Sequence, residues 1–379
     1  MKVLLVASCL YNADAGVAGA TLSLARAMRN NGADADVLFY DDIMGSSVKT
    51  SIRGIIFPFK LIKLDRLDSY DVVDVASGDL WFLAMFNKLA GRNHRTLLVA
   101  RSHGLEHVVA EQHRAAARRG ETKLSWKYPV YHGGWRLREV AQSLRMADLG
   151  LFLNQGDLDF AVSRLKVDPA RCEIVPNGLS PTFLKQPLSV VPNAREPLRV
   201  AMIGGFFQRK GLAYAIGALR RLLARYSVLE IGFFGVGKDN APRIEAELGN
   251  MGSGRVKIVE NYVHEQLPEL LQNYHALLFP SLAEGFGMAA LEGMACGLAL
   301  ITTSVVGLAE RLLDGHEAMV IPPANEAAIE QAIEALLNDR ALLQRLREAG
   351  QAKAQSFSWD SIARDQLTLY AQRLGEKRR

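Results

Sequence analysis

Two glutamates with seven residues between them, Glu284 and Glu292, bracket a glycine-punctuated turn in PSLAEGFGMAALEGMACG, residues 280–297. The apolar run ending near Leu282 reads as a buried strand, and the pattern beyond the turn predicts a helix that opens near Gly287 and is closed by Gly297. Backbone N–H groups of Phe286, Gly287 and Met288 then lack partners inside the helix and stand at the positive end of its dipole. That favours an anionic or hydroxyl-rich ligand. Glu284 falls in the turn beside Gly285, and Glu292 about one and a half turns into the helix. A carboxylate accepts two hydrogen bonds at once, which suits vicinal hydroxyls on a ribose or a sugar ring. The plain alternative is a helix-terminal charge at Glu284 and a solvated residue at Glu292.

Charge of the opposite sign comes from IGGFFQRKG, residues 203–211. Gly204 and Gly205 end a strand and let backbone pack closely, while Arg209 and Lys210 arrive just before a helix opened by Gly211. Adjacent cations at a helix start neutralise a diphosphate, Arg through a bidentate fork and Lys as a point charge. Alone they read as a solvated surface pair; combined with the two glutamates they point to a ligand.

These loops need strands to carry them. From residue 198 onward short apolar runs (LRVAMIGGF, VLEIGFFGV, VKIVENY, HALLFPSL, LALITTSV, AMVIPP) alternate with amphipathic stretches, which predicts a parallel sheet covered on both faces. The first half repeats the rhythm less cleanly, with strands in MKVLLVAS, ADVLFY, YDVVDVAS, HRTLLVARS and ADLGLFLN and a long polar and aromatic insert at residues 104–146. A Pro-rich, weakly periodic segment at residues 179–197 reads as the linker. The expected domains are therefore residues 1–185 and 198–357, with the amphipathic segment 362–379 packing back on the first. In open parallel sheets ligands bind beyond the carboxyl ends of the strands, so two facing sheets are expected to place their loops across a shared cleft.

In the first domain, Gly16 and Gly19 can bring backbone close to a donor phosphate or an acceptor, and an ordinary turn before a helix explains them equally. Asp41 and Asp42 invite a dinucleotide reading, but the G-x-G-x-x-G fingerprint lacks its third glycine. His103 ends a strand just before Gly104, and Asp14 in the first loop is an acceptor-contact candidate.

With 379 residues, 49% hydrophobic, the chain can bury two α/β cores. No apolar run approaches the roughly 18 residues of a membrane span, and the opening MKVLLVASC suits a buried strand better than a signal peptide. Cys9, Cys172 and Cys296 are odd in number and widely spaced, which gives neither a disulfide framework nor metal-ligand spacing; a reducing cytoplasm fits. Lys and Arg outnumber Asp and Glu 24 to 19 in residues 1–190 and match them 21 to 21 thereafter, so the whole positive excess lies in the first half. Residues 110–145 hold eight Lys or Arg against three Glu, interleaved with Trp126, Tyr128, Tyr131 and Trp135. That mixture suits peripheral contact with an anionic lipid surface, the other reading being a solvated helix pair with inward aromatics. Nothing else resembles a nucleic-acid module, so no nucleic-acid partner is expected.

Taken together, the motifs resemble those of the GT-B glycosyltransferases, and within them the retaining family four. EGFGMAALE with its paired glutamates is the most specific mark, and RKG at 209–211, HG at 103–104, VPNG at 175–178 and the closing FSW-to-LY helix follow in the family's order. The resemblance implies an α/β GT-B fold, two facing Rossmann-like domains with a C-terminal helix crossing back. It also implies a donor site mostly in the second domain and an acceptor site mostly in the first. Glu292 would hold the donor ribose, Arg209 and Lys210 the diphosphate, and Glu284 with the backbone of Phe286, Gly287 and Met288 the transferred sugar. His103 would lie beside that sugar. The base would lie against backbone at residues 234–237 and 262–264, Val263 included. One departure is present: many members carry Arg where this chain has Gly205.

The expectation is a retaining hexosyltransferase with no cofactor and no metal. It takes sugar from a UDP- or GDP-sugar to a saccharide or lipid-linked saccharide, in cell-surface polysaccharide or lipopolysaccharide assembly. A non-catalytic sugar-nucleotide-binding protein, a GT-B phosphorylase or an epimerase are the alternatives.

Overall fold

The computed structural model describes every residue except 13–15, 45–49, 63–66, 91–94, 121, 250–253 and 306, and describes the backbone alone at 50–53 and 208. The chain forms two compact units, residues 1–178 with 359–379, and residues 179–358.

In the first unit, strands β1 (Lys2–Val6), β2 (Asp34–Leu38), β3 (Val72–Ala76), β4 (Leu97–Arg101), β5 (Leu149–Phe152) and β6 (Cys172–Ile174) form one sheet in the order β2-β1-β3-β4-β5-β6. Its paired strands are parallel, with Val3 opposite both Ala35 and Val72. Alternate residues of β1 feed two cores. Leu4 and Val6 pack with Phe57, Leu83 and Leu144 on one face, and Val3 and Leu5 with Leu24, Met28 and Tyr370 on the other. A sheet covered on both faces explains why its strands read as continuous apolar runs.

The C-terminal helix Trp359–Lys377 closes the second of these faces, packing on helix Gly16–Asn30. Ile362 and Leu374 are buried there, about 1.5–3 kcal/mol each. The chain enters that helix through a contact only glycine allows: a Cβ on Gly178 would lie 2.7 Å from the backbone nitrogen of Trp359. VPNG and FSW are thus two halves of one packing contact.

The second unit has strands β7 (Leu198–Ile203), β8 (Leu229–Phe234), β9 (Val256–Val259), β10 (Ala276–Phe279), β11 (Ala299–Thr303) and β12 (Met319–Ile321). Their order is β12-β11-β10-β7-β8-β9, with parallel pairing throughout. The strand order reverses between β7 and β10, the crevice where such sheets take ligands. Residues 179–197, read from sequence as a linker, belong to this unit. Phe183 is fully buried, and the buried guanidinium of Arg347 donates to Gly297 O and Ser189 Oγ at 2.7 Å each. Gln351 donates to Gln186 O at 2.7 Å. The Pro-rich composition hid this because several of the partners are backbone carbonyls, which leave no residue signature. Among the described residues no helix is long and apolar enough to cross a membrane.

Candidate functional site

The loops leaving β7 and β10 meet at the reversal point of the second sheet. Gly204, at φ 123°, ends β7 in a conformation that side chains avoid, and the chain then runs to Arg209 and Lys210 in a short 3-10 turn, Gln208–Lys210. Gly211 follows at φ 71°, and a Cβ there would lie 2.0 Å from Pro280 O. Only glycine lets these two loops touch. Leu282 N donates to Arg209 O at 2.7 Å and completes the junction.

That junction brings the predicted cations onto the first predicted glutamate. Lys210 Nζ lies 2.5 Å from Glu284 Oε2, and Arg209 Nη1 lies 3.5 Å from the same oxygen. Lys210 also sits 4.8 Å above the Phe279 ring. Their side-chain exposures differ: 46% for Arg209, 14% for Lys210 and 17% for Glu284. Taken alone the two cations read as a solvated surface pair; in the structure both pair with Glu284, Arg209 remaining half exposed and Lys210 mostly covered. Gly205 stands where many members of the resembled family carry Arg. A Cβ there would lie 2.4 Å from the Phe207 ring, so a side chain at 205 has to displace that exposed aromatic.

Gly285 and Phe286 complete the turn, and Gly287, at φ 97°, forms the N-cap of helix Met288–Ala295. Phe286 is buried, and its carbonyl accepts from Leu308 N at 2.8 Å. Glu292 lies inside this helix and is only 6% exposed, which removes the reading of it as a solvated surface residue. Its Oε1 is 2.9 Å from His264 Nε2, and His264 rests 5.0 Å from the Phe183 ring. Burial and then the Glu292 carboxylate raise the pKa of Tyr262 and push the Cys296 thiol up to about 12. The His264 side chain was missed in the sequence, where only backbone was expected at residues 262–264. A histidine 28 positions from its partner leaves no local signal. Val263 itself is half exposed and caps the turn His264–Gln266. Gly235, in the expected base-binding segment, sits at φ 72° with Tyr262 filling its Cβ position at 2.8 Å. A hollow in this unit lies toward the opposite end of the sheet, lined by Arg199, Glu230 and Arg255 among others, away from Arg209, Lys210 and Glu284.

In the first unit His103 follows β4 beside a small cavity lined also by Asp74, Arg101, Asn177 and Trp359. Burial, then the Arg101 cation, push its pKa down to about 4, so the ring is neutral at pH 7. Beneath it Arg101 Nη2 binds Asp74 Oδ2 at 2.5 Å, and Tyr370 Oη donates to the same oxygen at 2.6 Å. Gly16 opens helix Gly16–Asn30 with open space around its Cβ position, and Gly19 lies in its first turn. Asp14 lies outside the described residues. Among the described residues no group of three or more His, Cys, Asp or Glu is arranged to hold a metal ion.

Residues 189–353, inside the second unit, match the family model "Glycosyl transferases group 1". Over those residues the chain is similar to the group 1 glycosyl transferases. It has the GT-B fold. It is 27% identical over 210 residues to the glycogen synthase of Mycobacterium tuberculosis (strain ATCC 25618 / H37Rv), a match covering 55% of this chain and 50% of that one. The chain thus spans about half the length of the first curated relatives it matches. Among solved structures it resembles sucrose-phosphate synthase from Thermosynechococcus elongatus, with TM-score 0.75, 19% identity and 98% of each chain covered. It also resembles Anabaena HepE in complex with UDP, with TM-score 0.72, 16% identity, and 98% and 100% covered. Arg209, Lys210, Glu284 and Glu292 all fall within the group 1 region; His103, Gly16 and Gly19 fall outside it.

Proposed function

We propose that this chain is a retaining, metal-independent hexosyltransferase that takes its sugar from a nucleotide diphosphate sugar, UDP or GDP carrying it. The observation that carries the reading is the convergence of Arg209 and Lys210 on Glu284, beside a helix that buries Glu292. The diphosphate replaces the Glu284 carboxylate as the partner of both cations. Glu284, released, accepts from hydroxyls of the transferred sugar, and Glu292, oriented by His264, accepts from ribose hydroxyls. Free N–H groups at Phe286, Gly287 and Met288 face the sugar or phosphate oxygens.

Breaking a glycosyl phosphate leaves positive charge on the anomeric carbon and negative charge on the departing diphosphate. Cations already in place at the phosphate stabilise that separation without reorganising. The acceptor hydroxyl attacks from the leaving-group face and its proton passes to the leaving phosphate oxygen, so no enzymic nucleophile is needed. In the first unit His103, neutral at pH 7, has one ring nitrogen to donate and one to accept a hydrogen bond from a sugar hydroxyl, and Gly16 and Gly19 let helix backbone approach a ligand.

The acceptor in this reading is a saccharide or a lipid-linked saccharide, in cell-surface polysaccharide or lipopolysaccharide assembly at the cytoplasmic membrane face. Support comes from the basic and aromatic insert, where Trp126 is 80% exposed with Lys127 against its ring. HepE, whose structure was solved with UDP, supports a nucleotide donor. A panel of UDP-, GDP-, ADP- and TDP-sugars is tested for a rise in melting temperature, followed by transfer in EDTA with the anomeric configuration read by NMR. One nucleotide sugar stabilises the protein and its configuration is kept. No stabilisation by any donor, or a requirement for added magnesium or manganese, contradicts the reading.

A further inference from the structure

The first unit carries an apolar surface that its own core does not use. Helix Thr50–Leu61 turns Phe57 and Leu61 inward to full burial, yet leaves Ile55 39% and Phe59 37% exposed one turn apart. Helix Trp81–Leu89 buries Leu83 and Ala84 and leaves Phe86 36% and Leu89 79% exposed. The two outward faces join through Phe59, whose ring lies 4.4 Å from Phe82 and 5.6 Å from Trp81. Trp81 in turn meets the half-exposed Trp135 at 6.3 Å. A surface helix ordinarily turns polar residues to water, and contiguous exposed apolar side chains mark a contact site.

Charge decides the occupant. Residues 43–64 contain Lys49, Arg53, Lys60 and Lys63 and no Asp or Glu, and residues 80–95 contain Lys88, Arg92 and Arg95 and likewise no acid. Exposed Lys60 and Lys88 belong to the two helices themselves. Apolar and aromatic side chains flanked by Lys60 and Lys88, on two helices that hold no acidic residue, match the headgroup and upper acyl region of an anionic bilayer. A protein partner would call for pairing charges of both signs at the rim.

We infer that the outward face of helices 50–61 and 81–89, with Phe59, Phe86 and Leu89 as its inserting residues, docks this chain on an anionic membrane. This rests on the reading of a lipid-linked acceptor but names a surface outside the 110–145 insert, which it meets at Trp135. Insertion of Trp81 and Trp135 toward the acyl region shifts their emission to the blue.

The full chain is sedimented at low salt with vesicles of phosphatidylcholine alone and with 30 mol% phosphatidylglycerol. Wild type partitions at least tenfold more to the anionic vesicles with blue-shifted tryptophan emission. Leu89→Glu and the pair Phe59→Ser with Phe86→Ser lose that partition about tenfold, whereas Lys123→Gln with Lys127→Gln on the insert loses less than threefold. Leu89→Glu, at a position 79% exposed, keeps its melting temperature and serves if the serine pair does not fold. Unchanged partition in both face variants overturns the inference. So does concentration-dependent self-association of wild type that Leu89→Glu abolishes without any vesicle binding, because a second copy then covers the face. Nucleotide-sugar binding is measured on the same samples: its presence beside lost partition separates failure of this surface from failure of the transferase reading.

Discussion

Both units place charged residues near the carboxyl ends of their strands, and they use them differently. In the second unit Arg209 is 46% exposed, and Lys210 and Glu284 keep 14% and 17% of their side-chain surface. In the first, Arg101 and Asp74 keep 9% and 1%, and Tyr370 from the C-terminal helix shares the Asp74 carboxylate. A closed network of this kind cannot exchange partners with a ligand without exposing a bare charge, whereas the pairs on Glu284 can. In the first unit the charges are sealed; in the second they keep one side open, as charges handed over to a ligand would have to.

The largest effect that would break this contrast is on stability. Asp74→Ala leaves the Arg101 guanidinium buried without its partner, which costs about 3–5 kcal/mol and frees the C-terminal helix from Asp74. Denaturant melts should show it, and a loss below about 1 kcal/mol would mean that the network is not sealed. Arg209→Ala with Lys210→Ala should do the opposite. Stability changes by about 1 kcal/mol or less, because the pairs are partly solvated, while turnover falls at least about a hundredfold, roughly 2.7 kcal/mol of barrier. Turnover within about tenfold of wild type in steady-state assays puts the diphosphate elsewhere.

A smaller effect is set by three neutral histidines. His103 and His107 are held down to about 4 and His275 to about 3, in each case by burial first and neighbouring arginines second. The unfolded chain binds these protons near pH 6.5 and the native chain does not until pH 4 or below. Unfolding therefore takes up protons in this window, and stability present above pH 6.5 falls as pH drops toward 4. Glu139, raised to about 7 by burial, works in the opposite direction and offsets part of the loss. Thermal melts from pH 7 to 5 should show a falling Tm, with a shallower fall in His275→Asn; a flat profile refutes the assignment.

How much of this was readable in the sequence follows the same division. The second sheet was legible because its strands are clean apolar runs and its candidate site is built from two short stretches, residues 203–211 and 280–297, each carrying its own glycines. Gly204, Gly211 and Gly287 advertise backbone conformations that other residues avoid, and Glu292 follows its turn at a fixed helical distance. What did not show was long-range. His264 reaches Glu292 from another strand's loop, Arg347 reaches the carbonyl of Gly297, and Tyr370 reaches Asp74 across 296 positions. Partners of that kind are set by topology rather than spacing. The first sheet was blurrier because its polar residues serve packing, so they carry no periodic or motif signature.

The central claim is that the second unit holds a nucleotide diphosphate by its ribose and its phosphates. Isothermal titration of UDP and GDP into wild type and Glu292→Ala tests it most directly, because ribose hydroxyls lose a two-oxygen acceptor worth about 1.5–3 kcal/mol. The account predicts that one of the two nucleotides binds wild type and binds the variant about tenfold to a hundredfold more weakly, at an unchanged melting temperature for the free protein. An equal dissociation constant for wild type and variant, or no binding of either nucleotide to wild type, contradicts it.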